Sequence, residues 1–159
     1  MKLHIAPLTA QQIRQFISWE YADPYAMYNM SPADDPAGVE FFLNPQNGYF
    51  GITGAAGDLL GFCNFGADAR VPGGDYKAEA VDIGMGLRPD LTGQGQGAVY
   101  AAAVFAFAQE NYPGQRQRVT IAAFNERAQR LCRKFRFSEV ARFEREQDGR
   151  EFVILMREA

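Results

Sequence analysis

A glycine-rich stretch between two segments of different periodicity constrains this chain more than any other feature. It reads Gly93-Gln94-Gly95-Gln96-Gly97. Before it, bulky apolar residues alternate over 81–87, which predicts a β-strand, and Pro89 ends that strand because proline has no amide for the ladder. After it, the alanine-rich run 98–108 predicts a long helix, since alanine is a strong helix former. We therefore expect the chain to turn sharply from a strand into a helix.

This turn has the backbone chemistry of an anion-binding loop. Glycines at alternate positions let the backbone turn tightly and leave no Cβ between the backbone and a ligand. The first amides of a helix have no partner within the helix, and the helix dipole adds a partial positive charge there. The stretch is therefore predicted to hold an anion, most naturally a phosphate group, with these residues: Thr92, Gly93, Gln94, Gly95, Gln96, Gly97 and Ala98.

Two common phosphate-binding motifs do not fit the stretch. The loop of nucleotide hydrolases requires lysine and then serine or threonine after its last glycine, whereas Ala98 and Val99 follow Gly97. The dinucleotide fingerprint would need its third glycine at position 98 or 100, where Ala98 and Tyr100 stand. A glycine turn that only leads into a core helix remains an alternative.

Composition narrows the class of protein. The chain has 159 residues, 47% of them apolar, which predicts one globular domain over 1–159. A net charge of −3 argues against general nucleic-acid binding. The longest apolar run, 98–108, is too short to cross a bilayer, and the N-terminal residues lack a secretory apolar region, so we expect a cytoplasmic protein without a membrane partner. His4 is the single histidine and the two cysteines form no C-x-x-C pair, so no metal site is predicted.

The remaining periodicity predicts further strands and helices. Thr9 is the expected N-cap of a helix through Ile17, a short helix is expected over 39–43, and another follows Asn125. Alternating bulky residues predict strands at the following positions: 3–8, 49–53, 59–65, 119–122, 137–146 and 150–156. The order of these elements predicts an α/β fold with a single mixed, twisted sheet flanked by helices.

Two motifs together resemble those of the GNAT N-acetyltransferase family. The acetyl-CoA signature of that family has the pattern [QR]-x-x-G-x-[GA]. Gly95 and Gly97 occupy its two small-residue positions, whereas Thr92 stands where the family usually has glutamine or arginine. A later motif of the family begins with asparagine and ends with glycine-phenylalanine. Four residues match that motif, while Cys132 replaces its usual tyrosine and Arg136 its usual glycine; the matches are Asn125, Ala128, Leu131 and Phe137. The resemblance covers roughly residues 48–157.

The resemblance implies the GNAT (acyl-CoA N-acyltransferase) fold and a reaction. Such a protein transfers an acetyl group from acetyl-CoA to a primary amine of a small molecule or peptide, by direct attack in a ternary complex. The backbone of Met85 and Leu87 is expected to hold the pantetheine arm and to supply an oxyanion donor, Asn125 to contribute to the cofactor site, and Arg88 to meet a CoA phosphate. The assembly state is left open, with a homodimer as the one named option. The alternative function is a non-catalytic GNAT-like module that binds an acyl-CoA as a sensor or interaction domain.

Two residues are candidates for proton transfer. Asp82 lies within the central strand, where apolar surroundings would raise its pKa toward the range useful for a base; a structural hydrogen bond is its alternative role. Cys132 stands where many family members have the tyrosine that protonates CoA, and a free thiol titrates at about 8.5. Cys132 is therefore a candidate acid, with core packing as the alternative.

An aromatic segment precedes both motifs and is expected to form the acceptor site. In this family the corresponding region covers the acceptor and varies with substrate. We expect Tyr25 or Tyr28, with a nearby carboxylate, to hold a cationic amine by ring-to-cation contact. The alternative is that these rings only line the core. The aromatic residues of the segment and the carboxylates near it are Trp19, Tyr21, Tyr25, Tyr28, Phe41 and Phe42, and Glu20, Asp23, Asp34 and Asp35.

Overall fold

A computed structural model describes residues 2–30 and 36–159 of the chain. The candidate carboxylates Asp34 and Asp35 lie outside the described residues. Within the described part, seven strands and four helices follow one another. In chain order they are β1 (His4–Pro7), α1 (Ala10–Ile17), α2 (Pro36–Leu43), β2 (Tyr49–Thr53), β3 (Leu59–Phe65), β4 (Val81–Leu87), α3 (Gly97–Asn111), β5 (Gln117–Ala122), α4 (Glu126–Lys134), β6 (Ser138–Glu144) and β7 (Glu151–Arg157).

The strands form one mixed sheet in the order β1-β2-β3-β4-β5-β7-β6. Neighbouring strands β1 and β2, β2 and β3, β5 and β7, and β6 and β7 run antiparallel, whereas β4 and β5 run parallel. The parallel register pairs Val81 with Gln117 and Asp82 with Arg118. The predicted α/β class with a single mixed sheet and helices is confirmed.

The contacts group the chain into two compact units, which divide within β4 and α3. The first comprises Met1–Asn64 and Met85–Tyr100, and the second Phe65–Gly84 and Ala101–Ala159. The glycine-rich stretch therefore belongs to the first unit together with the end of β4 and the first turn of α3. That 1–159 form a single domain stays a prediction.

Helix α1 organises the core of the first unit. Thr9 caps it as expected: its hydroxyl accepts from the Gln12 amide, and the Gln12 side chain accepts from the Thr9 amide, which completes a capping box. The helix buries Ile13, Phe16 and Ile17. Four partly buried rings pack against this core from outside α1: Trp19, Phe42, Tyr49 and Phe62.

The core of the second unit is built on β7 and the later turns of α3. Val153, Ile154 and Leu155 are fully buried in β7, and the rings of Phe105 and Phe137 lie 4.9 Å apart. Arg136 adopts a φ of 69°, the left-handed conformation in which glycine is most comfortable. It stands at the position where the related motif has glycine, so the chain makes the same turn there at some backbone strain.

Candidate functional site

The glycine-rich stretch forms an irregular loop between β4 and α3. A short 3-10 turn over Pro89–Leu91 follows the strand, and the Thr92 hydroxyl donates a 2.7 Å hydrogen bond to the Pro89 carbonyl oxygen. Gly93 and Gly95 have φ values of 71° and 75°, so both need the conformational freedom of glycine. Gly97 is the first residue of α3. The two left-handed glycines turn the backbone sharply just before the helix begins.

The amides of this loop are available to a ligand. Among the described residues, none accepts a hydrogen bond from the backbone amides of Gly93 through Ala98. Residues 93–96 are exposed, and a Cβ placed on Gly95 would meet no atom within 4 Å. Unpaired amides at an open turn and a helix N-terminus are what a phosphate group requires. The residues present therefore fit the pyrophosphate of a CoA.

Arg88, at the start of the loop, is bound to carboxylates of the protein. Its Nε and Nη2 donate to Asp90 at 2.6 and 3.2 Å, and Nη1 lies 3.6 Å from Asp58. The hydrogen bond to Asp90 is the main reason that the pKa of Arg88 lies above its ordinary value. The expectation that Arg88 meets a CoA phosphate stays a prediction, and these partners compete with it.

The last residues of β4 are packed and bonded within the first unit. The carbonyl oxygen of Leu87 accepts a 2.6 Å hydrogen bond from the Tyr21 hydroxyl, and burial raises the pKa of Tyr21 to about 12. Gly86 lies against the Phe62 ring so closely that no Cβ would fit there. A Cβ on Gly61 would come within 2.6 Å of the Gly86 carbonyl oxygen. The Gly86 position therefore accommodates an aromatic ring in the strand that was predicted to hold the pantetheine arm.

Asp82 lies in an ion-pair network and not in apolar surroundings. Its carboxylate is 2% exposed; it accepts from Arg118 at 2.6 and 2.9 Å and from Arg70 at 2.8 Å. The hydrogen bond to Asp82 raises the pKa of Arg118 above its ordinary value. The Tyr76 ring stacks under both guanidinium groups, with centroid distances of 5.0 and 5.5 Å. This environment corrects the expectation of an apolar site around Asp82, and its catalytic role stays a prediction.

Cys132 and Asn125 both belong to α4 and its cap. Burial raises the pKa of the Cys132 thiol to about 12, so the group is a weaker acid than a free thiol. The Asn125 side chain accepts a 3.2 Å hydrogen bond from the Ala128 amide and so caps the helix. The burial of Cys132 and the helix cap made by Asn125 are both consistent with structural roles. The catalytic role of Cys132 and the cofactor role of Asn125 stay predictions.

The predicted acceptor residues separate into two groups. Trp19 and Phe42 pack against Phe16, with ring centroids 6.3 and 4.9 Å away, and therefore line the core. Tyr25 and Tyr28 occupy a 3-10 turn over Tyr25–Tyr28, where their rings stack 6.5 Å apart and Tyr28 is 36% exposed. Phe41 is 40% exposed as well, and the role of Tyr25 and Tyr28 in holding the amine stays a prediction.

The structure distributes the predicted site residues over both units. The first unit holds the loop, Tyr25 and Tyr28, and the end of β4 with Met85 and Leu87; the second holds Asp82, Asn125 and Cys132. Sequence reasoning missed the Tyr21 contact and the pairing of Arg118. Arg118 had no local signal, because it lies just before the strand predicted over 119–122, whereas β5 begins at Gln117 in the structure.

The described residues contain neither a cluster of metal-ligating side chains nor a helix that could span a membrane. No three side chains of the types His, Cys, Asp or Glu lie close enough in this part of the chain to hold a metal ion. Likewise, none of the helices described above has the length and apolar character that crossing a bilayer requires.

Comparison with known proteins gives one sequence match. Residues 2–138 match the family model described as the acetyltransferase (GNAT) domain. No curated protein sequence matches the chain.

Solved structures resemble the chain over almost its whole length. A chimera of the spermidine N-acetyltransferase SpeG from Vibrio cholerae and hSSAT aligns with a TM-score of 0.75 at 14% identity, over 99% of this chain and 96% of that one. A GNAT-family acetyltransferase from Bacillus anthracis aligns with a TM-score of 0.75 at 14% identity, over 99% and 95%. A phosphinothricin acetyltransferase from Sinorhizobium meliloti, in complex with AcCoA, aligns with a TM-score of 0.67 at 14% identity, over 99% and 89%. At these identities the likeness shows a shared fold.

Proposed function

Because this chain belongs to the GNAT acetyltransferase family and is therefore an acyltransferase, we propose that it acetylates a primary amine of a small molecule or peptide. The family uses acetyl-CoA, and one structural neighbour was solved with it. The amine attacks directly while both substrates are bound. Acetyl-CoA supplies the thioester that the amine attacks, and the residues of this chain bind and orient the two substrates.

One observation carries this function: the unpaired amides of Gly93 through Ala98 at the start of α3. They are proposed to bind the pyrophosphate, since the loop and the helix N-terminus both favour negative charge. No side chain covers Gly95, so a phosphate can approach the backbone there. Thr92 contributes by holding the preceding turn through its bond to Pro89.

The end of β4 is proposed to act on the acyl carbonyl. A backbone amide of Met85 to Leu87 donates a hydrogen bond to the acyl oxygen as negative charge develops on it. Tyr21 fixes the carbonyl of Leu87, and the Phe62 ring fixes the backbone of Gly86, so this short stretch is held in place from two sides. A donor that is held in place needs no reorganisation during the reaction.

The structure bears differently on the two candidates for proton transfer, Asp82 and Cys132. Asp82 stays the candidate base, although its two arginine partners favour the alternative role of holding β4 and β5 together. For Cys132, a pKa of about 12 makes proton donation to a thiolate of ordinary pKa unfavourable. We therefore propose that solvent protonates the leaving thiolate and that Cys132 packs the core.

The acceptor is proposed to be cationic before reaction and to meet Tyr25 and Tyr28. Their stacked rings present aromatic faces to which an ammonium group is attracted. One structural neighbour is named a spermidine N-acetyltransferase, whose substrate is a cationic amine, which is consistent with this proposal. A cytoplasmic location and a homodimer stay predictions.

A panel of primary amines tests the function. Release of free CoA thiol from acetyl-CoA is measured with polyamines, amino acids, amino alcohols and peptides with a free N-terminus. An acetyltransferase releases thiol with at least one amine and yields the N-acetylated product by mass. If calorimetry shows that acetyl-CoA binds but no amine gives release, the chain is instead an acyl-CoA-binding sensor.

A further inference from the structure

Asn64 is an exception among the buried polar side chains of the described residues. In residues 2–30 and 36–159, five such side chains are 4% exposed or less: Asn64, Asp82, Gln117, Arg118 and Gln129. Four of them have hydrogen-bond partners in the protein. The amide nitrogen Nδ2 of Asn64 has none in the described part of the chain. Buried polar groups are nearly always paired, so this unpaired donor calls for a partner other than the described residues.

The position of Asn64 places it among aromatic rings. It lies in β3 directly opposite Tyr49 of β2, and residues that face each other across antiparallel strands share one face of the sheet. Phe62, two residues earlier in the strand, shares that face as well. The Tyr49 and Phe62 rings lie 6.2 Å apart, and the Phe42 ring lies 4.7 Å from that of Tyr49. All three rings are only partly buried, so part of each ring faces solvent while the rest packs against the core.

The same cluster borders the strand proposed to act on the acyl group. The Phe62 ring lies directly against Gly86 in the stretch from Met85 to Leu87. Residues two apart in a strand are separated by roughly 7 Å. Asn64 therefore lies within the length of a small molecule from the backbone that would contact the acetyl group.

We propose that Nδ2 of Asn64 donates a hydrogen bond to an uncharged oxygen of the acceptor amine, a carbonyl or a hydroxyl, an inference that rests on the proposed function. An uncharged oxygen suits this position because an anionic carboxylate among aromatic rings would need a cationic partner as well. The bond would select amines that carry such an oxygen several bonds from the reacting nitrogen. It would also explain why the protein leaves a buried donor unpaired.

Matched pairs of amines test this specificity. One pair is 4-amino-1-butanol and pentylamine, in which carbon replaces the hydroxyl oxygen. The other is 4-aminobutanamide and 4-methylpentylamine, in which carbon replaces both the oxygen and the nitrogen of the amide at similar size. We expect the wild-type protein to prefer the oxygen-bearing member of at least one pair by about five- to tenfold in kcat/KM. In Asn64→Leu this preference should fall below about twofold through KM for the amine, with KM for acetyl-CoA unchanged. Asn64→Asp, which keeps the size but offers only acceptors, should also lose it.

A control variant separates this role from a structural one. Gln129→Met removes a buried amide whose nitrogen donates to the Ala123 carbonyl at 2.9 Å. It should lower the melting temperature and leave the amine preference intact. Asn64→Leu should keep or raise the melting temperature, because it removes a donor that is unpaired in the free protein.

A preference for the oxygen-bearing amine that is lost in Asn64→Leu supports the proposed hydrogen bond. The inference is overturned if the wild-type protein shows no preference within either pair, if Asn64→Leu retains the preference, or if Asn64→Leu is destabilised as Gln129→Met is. If no amine is acetylated at all, the proposed function fails. Calorimetric binding of the same amine pairs to the CoA-bound wild-type and Asn64→Leu proteins then still decides the role of Asn64.

Discussion

The hydroxyl of Tyr21 donates a 2.6 Å hydrogen bond to the carbonyl oxygen of Leu87, a residue 66 positions later in the chain. Tyr21 lies in the aromatic segment proposed to meet the acceptor, and Leu87 ends the strand that leads into the glycine-rich loop. One hydrogen bond thus joins the proposed acceptor segment to the strand proposed to hold the cofactor.

Tyr21→Phe should weaken cofactor binding modestly. Loss of one partly buried hydrogen bond should lower the free energy of unfolding by about 1 kcal/mol. Without the Tyr21 hydroxyl, the Leu87 carbonyl and the end of β4 are no longer held in place. We therefore expect KM for acetyl-CoA to rise a few-fold while kcat stays within about twofold. Steady-state kinetics and urea unfolding measure both effects. A loss of stability with an unchanged KM for acetyl-CoA would limit Tyr21 to a structural role.

Gly97→Glu should abolish acetyl-CoA binding in a folded protein. Gly97 begins α3, and a carboxylate at this position would repel the phosphates that the loop amides are proposed to bind. Gly97→Gln has the same size without the charge and serves as the matched control; it should bind more tightly than the glutamate variant. Calorimetry with acetyl-CoA measures both affinities, and equal affinity in the wild-type and Glu variants would contradict the phosphate site.

Asp82→Asn should destabilise the protein strongly. It leaves the guanidinium of Arg118, which is 1% exposed, without its carboxylate. Breaking a buried ion pair in this way costs about 3–5 kcal/mol of unfolding free energy. Denaturant titration measures this loss, and kcat is then determined well below the melting temperature. If Asp82 is structural, kcat of the folded variant stays near the wild-type value. A large fall in kcat with loss of the acidic limb of its pH profile would identify Asp82 as the base.

Cys132→Ala should keep activity and change the pH dependence of stability. At neutral pH, turnover should stay within a few-fold, and the small cavity should lower the free energy of unfolding by about 1 kcal/mol. The pKa of Cys132 is about 12 in the folded protein, so between its ordinary value and 12 the folded state holds one more proton than the unfolded state. The wild-type protein should then lose stability by about 1.4 kcal/mol more per pH unit than the variant does. Urea unfolding between about pH 9 and 11 measures this difference in slope. A hundredfold fall in kcat at unchanged cofactor affinity would instead make Cys132 the acid.

Tyr25→Ala and Tyr28→Ala should weaken amine binding alone. Removal of one ring-to-cation contact should cost roughly 0.5–2 kcal/mol and raise KM for the amine, with KM for acetyl-CoA unchanged. Phe variants at the same positions keep the ring and should retain most of the affinity. If both Ala variants keep the wild-type KM for the amine, the acceptor lies elsewhere.

The sequence by itself predicted the local elements well. Each follows from neighbouring residues: alternation gave β4, alanine content gave α3, and the Thr9–Gln12 pair gave the start of α1. The glycine positions also predicted the loop, because its positive φ values are properties of single residues. The sheet class followed from the order of these elements.

Only the tertiary structure decided the state of the individual site residues. Asp82 is paired with Arg118, which lies 36 positions later in the chain. No local sequence pattern indicates which charged side chain a buried carboxylate will contact. Tyr21 meets a backbone carbonyl, which has no sequence signature at all. That Nδ2 of Asn64 has no hydrogen-bond partner among the described residues depends on every neighbour that folding brings near it. Local structure follows from the conformational preferences of a few adjacent residues, whereas pairing, burial and pKa depend on groups that meet only when distant segments pack together.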